Sequence, residues 1–287
     1  MNRANLVVVS NRGPLSFSRN NAGRLVARQG AGGVVSALTP LLTGSGATWI
    51  TTAVSDDDRA AAREGLMRSD GIRLVPVTVD PDMYRMSYDV ISNATLWFVH
   101  HRLFDLARRP RFDRKWREAW NGYREVNRAF ADAVVEAAPN GASVLVQDYQ
   151  LALVGGFLTE RRPDLRTLHF SHTPFVGPEG MRVLPDDVSV ELLEGMASYR
   201  ACGFHSRRWA AAFEQSCSEI IGRVPRSFVA PLGIERSHLN DVASSAETLR
   251  AAGKLNEVIG DRSLILRVDR MELSKNLLRG FLAFDDL

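Results

Sequence analysis

Ionisable side chains follow several apolar runs of the sequence, at the point where each run ends. The runs are LVVVS, VLVQ, LHFS, CGF and LILRVD, and each is typical of a buried strand. In an open parallel sheet, ligands bind beyond the carboxyl ends of the strands. The sequence therefore predicts one polar crevice, and the charged or titratable residues that follow these runs are Arg12, Asp148, His172, His205 and Arg270.

A glycine-rich segment near the start, RQGAGGVVSAL, offers a second kind of chemistry. Gly30, Gly32 and Gly33 stand directly before an apolar run with a helical pattern. Glycine lets the backbone approach a ligand closely, and the free N–H groups of a helix N-terminus favour anions. The segment matches neither GxGxxG nor the P-loop pattern. A phosphate site and a plain tight turn both remain open at this point.

Strands that alternate with helices are predicted to position these residues, in a parallel sheet covered on both faces. A helix is predicted over residues 115–138, because apolar side chains recur there at helical spacing and Pro-Asn-Gly follows. Further helices are predicted in RRWAAAFEQSC, in NLLRGFLAFDDL and in SSAETLRAAGKLNEVIG, where Ser244 and Glu247 suggest a capping box. The predicted strands are NLVVVS, ATWITTA, SVLVQDYQ, RTLHFSH, ACGFHS, SFVAPLG and SLILRVDR.

Composition and charge exclude several classes of protein. The 36 cations against 33 anions leave a net charge of +3, so a nucleic-acid partner is not implied, and the arginine-rich run at 102–117 is interpreted as a solvated helix face. Cys202 and Cys217 are too few for a disulfide framework and lack metal-ligand spacing. No apolar run approaches the length of a membrane span or a signal peptide. We therefore expect a soluble, cytoplasmic protein with no membrane partner.

Nine segments, in order, resemble the trehalose-6-phosphate synthases. They are VVSNRGPL, GAGGVVSAL, SNATLWFVHH, WNGYREVNRAFA, QDYQL, SHTPF, CGFHS, PLGIE and VDRMELSKN. The resemblance implies a GT-B fold, in which two Rossmann-like domains enclose the active site. It also implies transfer of glucose from a nucleotide sugar to glucose 6-phosphate, with retention of configuration and without a metal or other cofactor.

The same resemblance assigns roles to residues that match the family motifs. The implied acceptor-binding residues are Arg12, Tyr88, Trp97 and Asp148. The implied donor-binding residues are Gly32, Gly33, His172, Arg270 and Lys275. The residues expected to carry the chemistry are Asp148, His172, Arg270 and Lys275, the last two as fixed cations facing the diphosphate leaving group.

Each of these residues also has a plainer interpretation. Asp148 could cap the helix that follows it. His172, His205 and Trp97 could simply pack in the core. Arg270 could pair with Asp269 or Glu272, and Lys275 could be a solvated lysine. His100 and His101 resemble a metal pair, but adjacent residues do not share a helix face, so a metal site is rejected.

Some motifs depart from the family pattern. The usual Trp-x-Gly-Trp-x-Gly is here TWITTA, His-Asp-Tyr-His is QDYQ at 147–150, and Asp-Tyr-Ser-Lys-Gly is ELSKN at 272–276. These changes spare the charged groups but fall on their neighbours, which leaves the donor open among UDP-, GDP- and ADP-glucose. A related pseudo-glycosyltransferase that couples two cyclitols has Lys-Asn at the last motif and is an alternative.

The resemblance also predicts a division into domains. Residues 1–235 would form an N-terminal acceptor-binding domain, and residues 236–287 only the beginning of a C-terminal domain for the nucleotide sugar. We therefore expect the isolated chain to be inactive, so that a non-catalytic sugar-phosphate-binding fragment is a further alternative. An uncovered apolar face would favour association, for example as a homo-oligomer.

Overall fold

A computed structural model describes residues 5–30, 32–69, 71–104, 111–233 and 236–287, apart from the side chains at 237 and 238. The chain forms two compact units, Met1–Pro231 and Leu232–Leu287. The predicted domain boundary at 235 falls on a residue outside the described ranges. Residues 105–110 of the arginine-rich run also lie outside them.

The first unit contains an eight-stranded sheet and a separate hairpin. The strands are β1 (Leu6–Ser10), β2 (Leu15–Arg19), β3 (Leu25–Gln29), β4 (Thr48–Thr52), β5 (Arg68–Ser69), β6 (Ile72–Val77), β7 (Ser143–Gln147), β8 (Arg166–Ser171), β9 (Ala201–Phe204) and β10 (Ser227–Val229). The sheet order is β10–β9–β8–β7–β1–β4–β6–β5, and β2 pairs with β3. Every neighbouring pair in the large sheet is parallel except β5 and β6. The predicted parallel α/β fold is confirmed.

Helices follow most of the strands, as expected of a sheet wound on both faces. Those of the first unit are α1 (Gly33–Leu42), α2 (Asp56–Arg63), α3 (Pro81–Arg85), α4 (Trp97–His100), α5 (Arg114–Ala137), α6 (Val154–Thr159), α7 (Pro178–Met181), α8 (Asp186–Ala197) and α9 (Arg207–Ile221). The helix predicted over 115–138 is therefore confirmed as α5. Its N-cap, Asp113, accepts a hydrogen bond from the backbone N–H of Trp116 at 3.0 Å.

The main core lies between the sheet and α5. The three central valines of β1 are fully buried, and so are Trp120, Tyr123 and Phe130 on one face of α5. Burying one such large side chain is worth about 1.5–3 kcal/mol. This packing holds the carboxyl ends of β1 and β7 in fixed positions, and the functional candidates follow those ends.

A π-helix joins α3 to α4. It runs over Met86–Leu96, with wider turns than an α-helix. The hydroxyl of Ser92 donates to the carbonyl of Ser87 at 3.0 Å, and that of Thr95 donates to the carbonyl of Val90 at 2.8 Å. Both bonds span five residues, which matches the π-helical repeat. Such helices are rare and often occur at functional sites.

The second unit contains α10 (Arg236–Ala243), α11 (Ala246–Ile259), a short 3₁₀ turn at Leu273–Lys275 and α12 (Leu277–Asp285). The strand predicted in SLILRVDR is wrong, because residues 263–270 form neither a helix nor a strand and pair with no strand in the described part of this unit. A strand needs a hydrogen-bonded neighbour, and an apolar run alone does not supply one. The cap of α11 is Ser245, whose hydroxyl accepts from the N–H of Thr248 at 3.2 Å, so the capping box predicted on Ser244 is wrong by one residue.

Candidate active site

A cavity opens near the carboxyl end of β1, where the order of the strands along the sheet reverses. β1 lies between β7 and β4, so the chain builds one half of the sheet and then crosses to the other at this strand. In the register, Val9 aligns with Val146 on one side and Ile50 on the other, which brings the ends of these strands to one edge. The cavity there, of about 130 Å³, is the switch-point cavity, and its lining includes Arg12, Gly32, Gly33, Tyr88, Gln147 and Asp148. Open α/β sheets bind ligands at this place.

A second cavity, of about 320 Å³, lies next to the first. We call it the arginine cavity, because its lining includes Arg12, Arg59 and Arg85, together with Tyr84 and Tyr88. Arg12 and Tyr88 line both cavities. This second cavity was not predicted from the sequence.

Arg12 is exposed and lies against an aromatic ring. Its guanidinium carbon is 5.6 Å from the centre of the Tyr88 ring, within the range of a cation–π contact. In the part of the chain that the structure describes, no carboxylate forms an ion pair with Arg12. The guanidinium can therefore accept an anionic ligand from either cavity without first losing a protein partner.

Asp148 occupies a strained position directly after β7. Its φ is +68°, in the left-handed region that non-glycine residues seldom adopt. Its carboxylate accepts from the backbone N–H of His172 at 3.1 Å and from the hydroxyl of Thr173 at 3.5 Å. Burial raises its pKa to about 6, although these hydrogen bonds act in the opposite direction. The side chain makes no capping bond to the 3₁₀ turn that follows, so the capping interpretation is wrong.

The predicted glycine pair begins α1. Gly32 is the N-cap, with a φ of +139° that favours glycine, and Gly33 is the first helical residue. An added Cβ atom at either position would meet no heavy atom within 4 Å. The bare backbone of this helix start therefore faces open space in the switch-point cavity. Its N–H groups are suited to an anion.

Tyr88 and Trp97 lie on the segment that contains the π-helix. Tyr88 reaches both cavities. Trp97 instead stacks on His101, with ring centres 4.1 Å apart, and packs partly buried against the main core. It is not among the residues that line either cavity. The structure thus brings Tyr88 to Arg12 but does not place Trp97 with them.

Three polar side chains form a hydrogen-bonded row at the ends of β7, β8 and β9. The Nε2 atom of His172 lies 2.9 Å from Oε1 of Gln147, and its Nδ1 lies 3.4 Å from Nε2 of His205. Burial first, and then His205 and His169, lower the pKa of His172 to about 4, so the ring is neutral at pH 7. His172 is half-buried, whereas the core histidine on this strand is the fully buried His169.

Arg270 and Lys275 belong to the second unit. Arg270 is 3.3 Å from the carboxylate of Glu272, and Lys275 is 3.7 Å from the same carboxylate. Lys275 ends the 3₁₀ turn just before α12 begins at Leu277, as expected of a residue near a helix start. Arg270 does not follow a strand, which corrects the expected strand end. The roles of both cations stay predictions.

Two polar residues beside Arg12, Asn11 and Tyr84, had been assigned no site role from the sequence. The hydroxyl of Tyr84 donates to Oδ1 of Asn11 at 3.1 Å, and the ring of Tyr84 stacks on Tyr88 with centres 5.6 Å apart. Burial raises the pKa of Tyr84, so the phenol stays protonated and can donate. The i, i+4 spacing of the two tyrosines was the available signal.

The adjacent histidines have separate structural contacts. Nδ1 of His100 lies 3.5 Å from the backbone N–H of Val176, and Nδ1 of His101 lies 2.7 Å from the carbonyl of Trp97. Within the described ranges, no group of three potential metal-ligating His, Cys, Asp or Glu side chains occurs. Nor does any helix in those ranges combine the length and apolar character needed to cross a membrane.

The sequence matches a family profile over nearly its whole length. The profile describes glycosyltransferase family 20, and the match covers residues 4–287. The chain belongs to glycosyltransferase family 20. The resemblance drawn from the nine motifs is confirmed at the level of the family.

Relatives in this family share both sequence and fold with the chain. The trehalose-6-phosphate synthase of Mycobacterium sp. (strain JLS) is 34% identical over 306 residues, which cover 99% of this chain and 61% of the relative. A UDP-forming α,α-trehalose-phosphate synthase from Burkholderia vietnamiensis is 26% identical with a TM-score of 0.77, covering 98% of this chain and 60% of that one. An E. coli trehalose-6-phosphate structure bound with UDP-2-fluoro glucose is 25% identical with a TM-score of 0.77, covering 97% and 60%. The chain thus spans about three-fifths of each of these relatives.

Proposed function

We propose that this protein transfers glucose from a nucleotide-glucose donor to glucose 6-phosphate, forming α,α-trehalose phosphate with retention of configuration. The observation that carries the proposal is the switch-point cavity, where Arg12, Asp148 and the start of α1 converge. Family membership and the trehalose-6-phosphate synthase names of the relatives support the same reaction. Those names do not favour the cyclitol-coupling alternative.

The acceptor would bind between Arg12 and Asp148. A guanidinium can hold a phosphate through two parallel hydrogen bonds, and the ring of Tyr88 contacts the guanidinium of Arg12. The carboxylate of Asp148 accepts only, so it suits the hydroxyls of a sugar. Trp97 stays a proposed acceptor contact. To reach the acceptor, its ring would have to leave the stack with His101, or contact the sugar while it remains stacked.

The donor would bind over the start of α1. The backbone at Gly32 and Gly33 would approach the diphosphate, and His172 would contact the glucose. Arg270 and Lys275 would stabilise the charge that develops on the nucleoside diphosphate as the glycosidic bond breaks. The acceptor hydroxyl would attack from the face that the diphosphate leaves, and a phosphate oxygen would take its proton. This route needs no protein nucleophile, and we propose that it needs no metal.

The donor nucleotide and the roles of the two regions follow from the same proposal. UDP is favoured because the Burkholderia relative is UDP-forming and the E. coli structure is bound with UDP-2-fluoro glucose. Residues 1–235 would bind the acceptor, and residues 236–287 would begin the domain that holds the nucleotide sugar. The cytoplasmic location and a homo-oligomer stay predictions.

A second candidate function is sugar-phosphate binding without turnover. The observation that favours it is that Arg12, Gly32, Gly33 and Asp148 all belong to the first unit, while Arg270 and Lys275 belong to the second. A chain that binds glucose 6-phosphate but releases no nucleotide would have this function.

An assay with three donors separates these candidates. UDP-, GDP- and ADP-glucose are each incubated with glucose 6-phosphate, and trehalose 6-phosphate is measured for the 287-residue chain and for the full-length product of its gene. We expect product from the full-length protein with UDP-glucose, undiminished by a chelator, and little from the 287-residue chain. Binding of glucose 6-phosphate with no product from either protein would favour the second candidate.

A further inference from the structure

The side-chain amide of Gln147 has a single consistent orientation. Gln147 is buried at the end of β7, and its Nε2 donates to the carbonyl of Leu145 at 3.2 Å. A carbonyl only accepts hydrogen bonds, so the amide nitrogen must face it. The amide oxygen then faces Nε2 of His172 at 2.9 Å. In the reversed orientation, the amide oxygen of Gln147 would face the carbonyl oxygen of Leu145, and both atoms are acceptors.

This orientation determines where the proton of His172 resides. The amide oxygen of Gln147 needs a donor, so Nε2 of the neutral imidazole carries the hydrogen. The other ring nitrogen, Nδ1, then has a free lone pair and accepts from Nε2 of His205 at 3.4 Å. That contact is long for a hydrogen bond. The backbone N–H of His172 also donates to Asp148 at 3.1 Å, so His172 contacts both Gln147 and Asp148, which line the switch-point cavity.

We propose that Gln147 is a positioning residue that fixes His172 in the Nε2–H tautomer and so presents Nδ1 as a hydrogen-bond acceptor for a sugar hydroxyl. The hydroxyl part rests on the proposed function, but the tautomer part does not. A hydroxyl of a bound nucleotide sugar would replace the long contact with His205 by a shorter one. Glutamine has no ionisable group, so it supplies here a fixed acceptor that does not change charge near neutral pH.

If the role of Gln147 were purely structural, its replacement would have a different effect. If Gln147 only fills space and satisfies Leu145, its replacement lowers stability and leaves the proton of His172 in place. The decisive readout is therefore the tautomer itself. Long-range ¹H–¹⁵N spectra report which ring nitrogen is protonated, and the chain has six histidines, few enough to resolve.

The test uses the 287-residue chain labelled with ¹⁵N, with the His172 signals assigned by their loss in His172→Asn. We expect wild-type His172 to be protonated at Nε2 and not at Nδ1. Gln147→Leu should give a mixture of tautomers. Gln147→Glu should keep the Nε2 proton, because its carboxylate still accepts from Nε2 although it no longer donates to the carbonyl of Leu145. The control is Gln215→Leu, which removes an exposed glutamine of α9 that bonds Glu219 and should leave the His172 signals unchanged.

Three outcomes would overturn the tautomer part. They are protonation at Nδ1 in the wild type, an unchanged His172 signal in Gln147→Leu, and loss of the Nε2 proton in Gln147→Glu. If Gln147→Leu does not fold, the comparison of wild type with Gln147→Glu still tests the tautomer part.

Kinetics test the hydroxyl part separately. In a full-length protein that transfers glucose, Gln147→Leu should raise KM for the donor about threefold to tenfold, the effect of one weakened hydrogen bond, with a smaller change in kcat. A shifted tautomer with an unchanged donor KM would overturn the hydroxyl part alone. Absence of transfer in the wild type would count against the proposed function and leave the tautomer result standing.

Discussion

The hydroxyl of Tyr84 donates a hydrogen bond to the side-chain oxygen of Asn11 at 3.1 Å. This bond joins the helical segment that carries Tyr88 to the loop that carries Arg12. The rings of Tyr84 and Tyr88 stack at 5.6 Å, and the guanidinium of Arg12 lies 5.6 Å from the centre of the second ring. The side chains of Tyr84, Tyr88 and Arg12 form one stack, and Asn11 binds the hydroxyl of Tyr84 at one end of it.

Removing the Tyr84 hydroxyl should loosen this stack. We expect Tyr84→Phe to lower the free energy of unfolding by about 1 kcal/mol, the net worth of one hydrogen bond, because the ring stack is retained. The KM for glucose 6-phosphate should rise by roughly fivefold as Arg12 becomes less fixed. Thermal melting and initial rates measure the two effects. A variant with normal KM would show that Asn11 and Tyr84 stabilise the fold only.

Arg12→Ala should weaken use of the acceptor more than use of the donor. The loss of a charge-assisted bond to phosphate is worth about 1.5–3 kcal/mol, or roughly 10- to 100-fold in KM for glucose 6-phosphate. Steady-state rates at varied acceptor and donor provide the comparison. Arg63→Ala, which removes an exposed arginine at the end of α2, is the matched control and should change neither KM. An effect confined to the donor KM would contradict the acceptor role.

Asp148→Asn should keep the fold and lose most of the transfer activity, because the amide replaces one accepting oxygen with a donor. Wild-type activity should fall as the pH drops through about 6, the raised pKa of this carboxyl. The contribution of Asp148 to the stability of the fold has the opposite pH dependence. Because the folded-state pKa lies above the ~3.9 of an unfolded aspartate, the stability contribution of Asp148 decreases as the pH rises from about 4 to 6.

The asparagine variant should therefore melt no lower than the wild type at pH 7. Rates and melting curves recorded from pH 4.5 to 8 test both statements. Near-normal turnover in Asp148→Asn, or a rate independent of pH around 6, would remove Asp148 from the reaction.

The two glycines at the start of α1 should respond differently to the same added methyl group. Gly32→Ala places a Cβ on a residue with φ of +139°, which should cost about 1–3 kcal/mol of stability. Gly33→Ala has no such strain and open space around it, so the fold should be unaffected. If the donor diphosphate lies against this backbone, Gly33→Ala should still raise the donor KM. Calorimetry with UDP would show the same loss, and unchanged binding would favour the tight-turn interpretation.

Lys275→Ala should cut turnover of the full-length protein by at least roughly tenfold through loss of leaving-group stabilisation. Its ion pair with Glu272 is partly exposed, so the melting temperature without ligand should hardly change. UDP should raise the melting temperature of the wild type more than that of the variant. Lys254→Ala, on the exposed face of α11, is the control and should behave as the wild type. Equal shifts with normal turnover would make Lys275 an ordinary surface lysine.

The strands of the large sheet were predictable where an apolar run is buried on both faces. LVVVS and SVLVQ are such runs, and they became β1 and β7. The 24 residues of α5 were predictable from their apolar spacing. The same rule failed at residues 263–270, because an apolar run specifies burial and does not by itself provide a pairing partner.

Polar strand ends located part of the candidate site from sequence. Asp148 and Arg12 lie at the switch-point cavity, as strand ends in a parallel sheet should. The sequence assigned no site role to Tyr84, Asn11 or Gln147, because their roles depend on contacts between residues far apart in the chain. The Tyr84–Asn11 bond spans 73 positions, and the His172–Gln147 contact spans 25. Local spacing contains no record of either.

The π-helix at Met86–Leu96 has a consequence for how this segment can change in evolution. A π-helical turn closes with a hydrogen bond between residues i and i+5, so it holds one residue more than an α-helical turn. A single deletion inside the 11-residue segment could therefore be absorbed when one wide turn closes as an α-helical turn. Tyr84 and Trp97, which flank the segment, would then keep their neighbours. Tyr88 lies inside the segment, so its place beside Arg12 depends on the wide turns being retained.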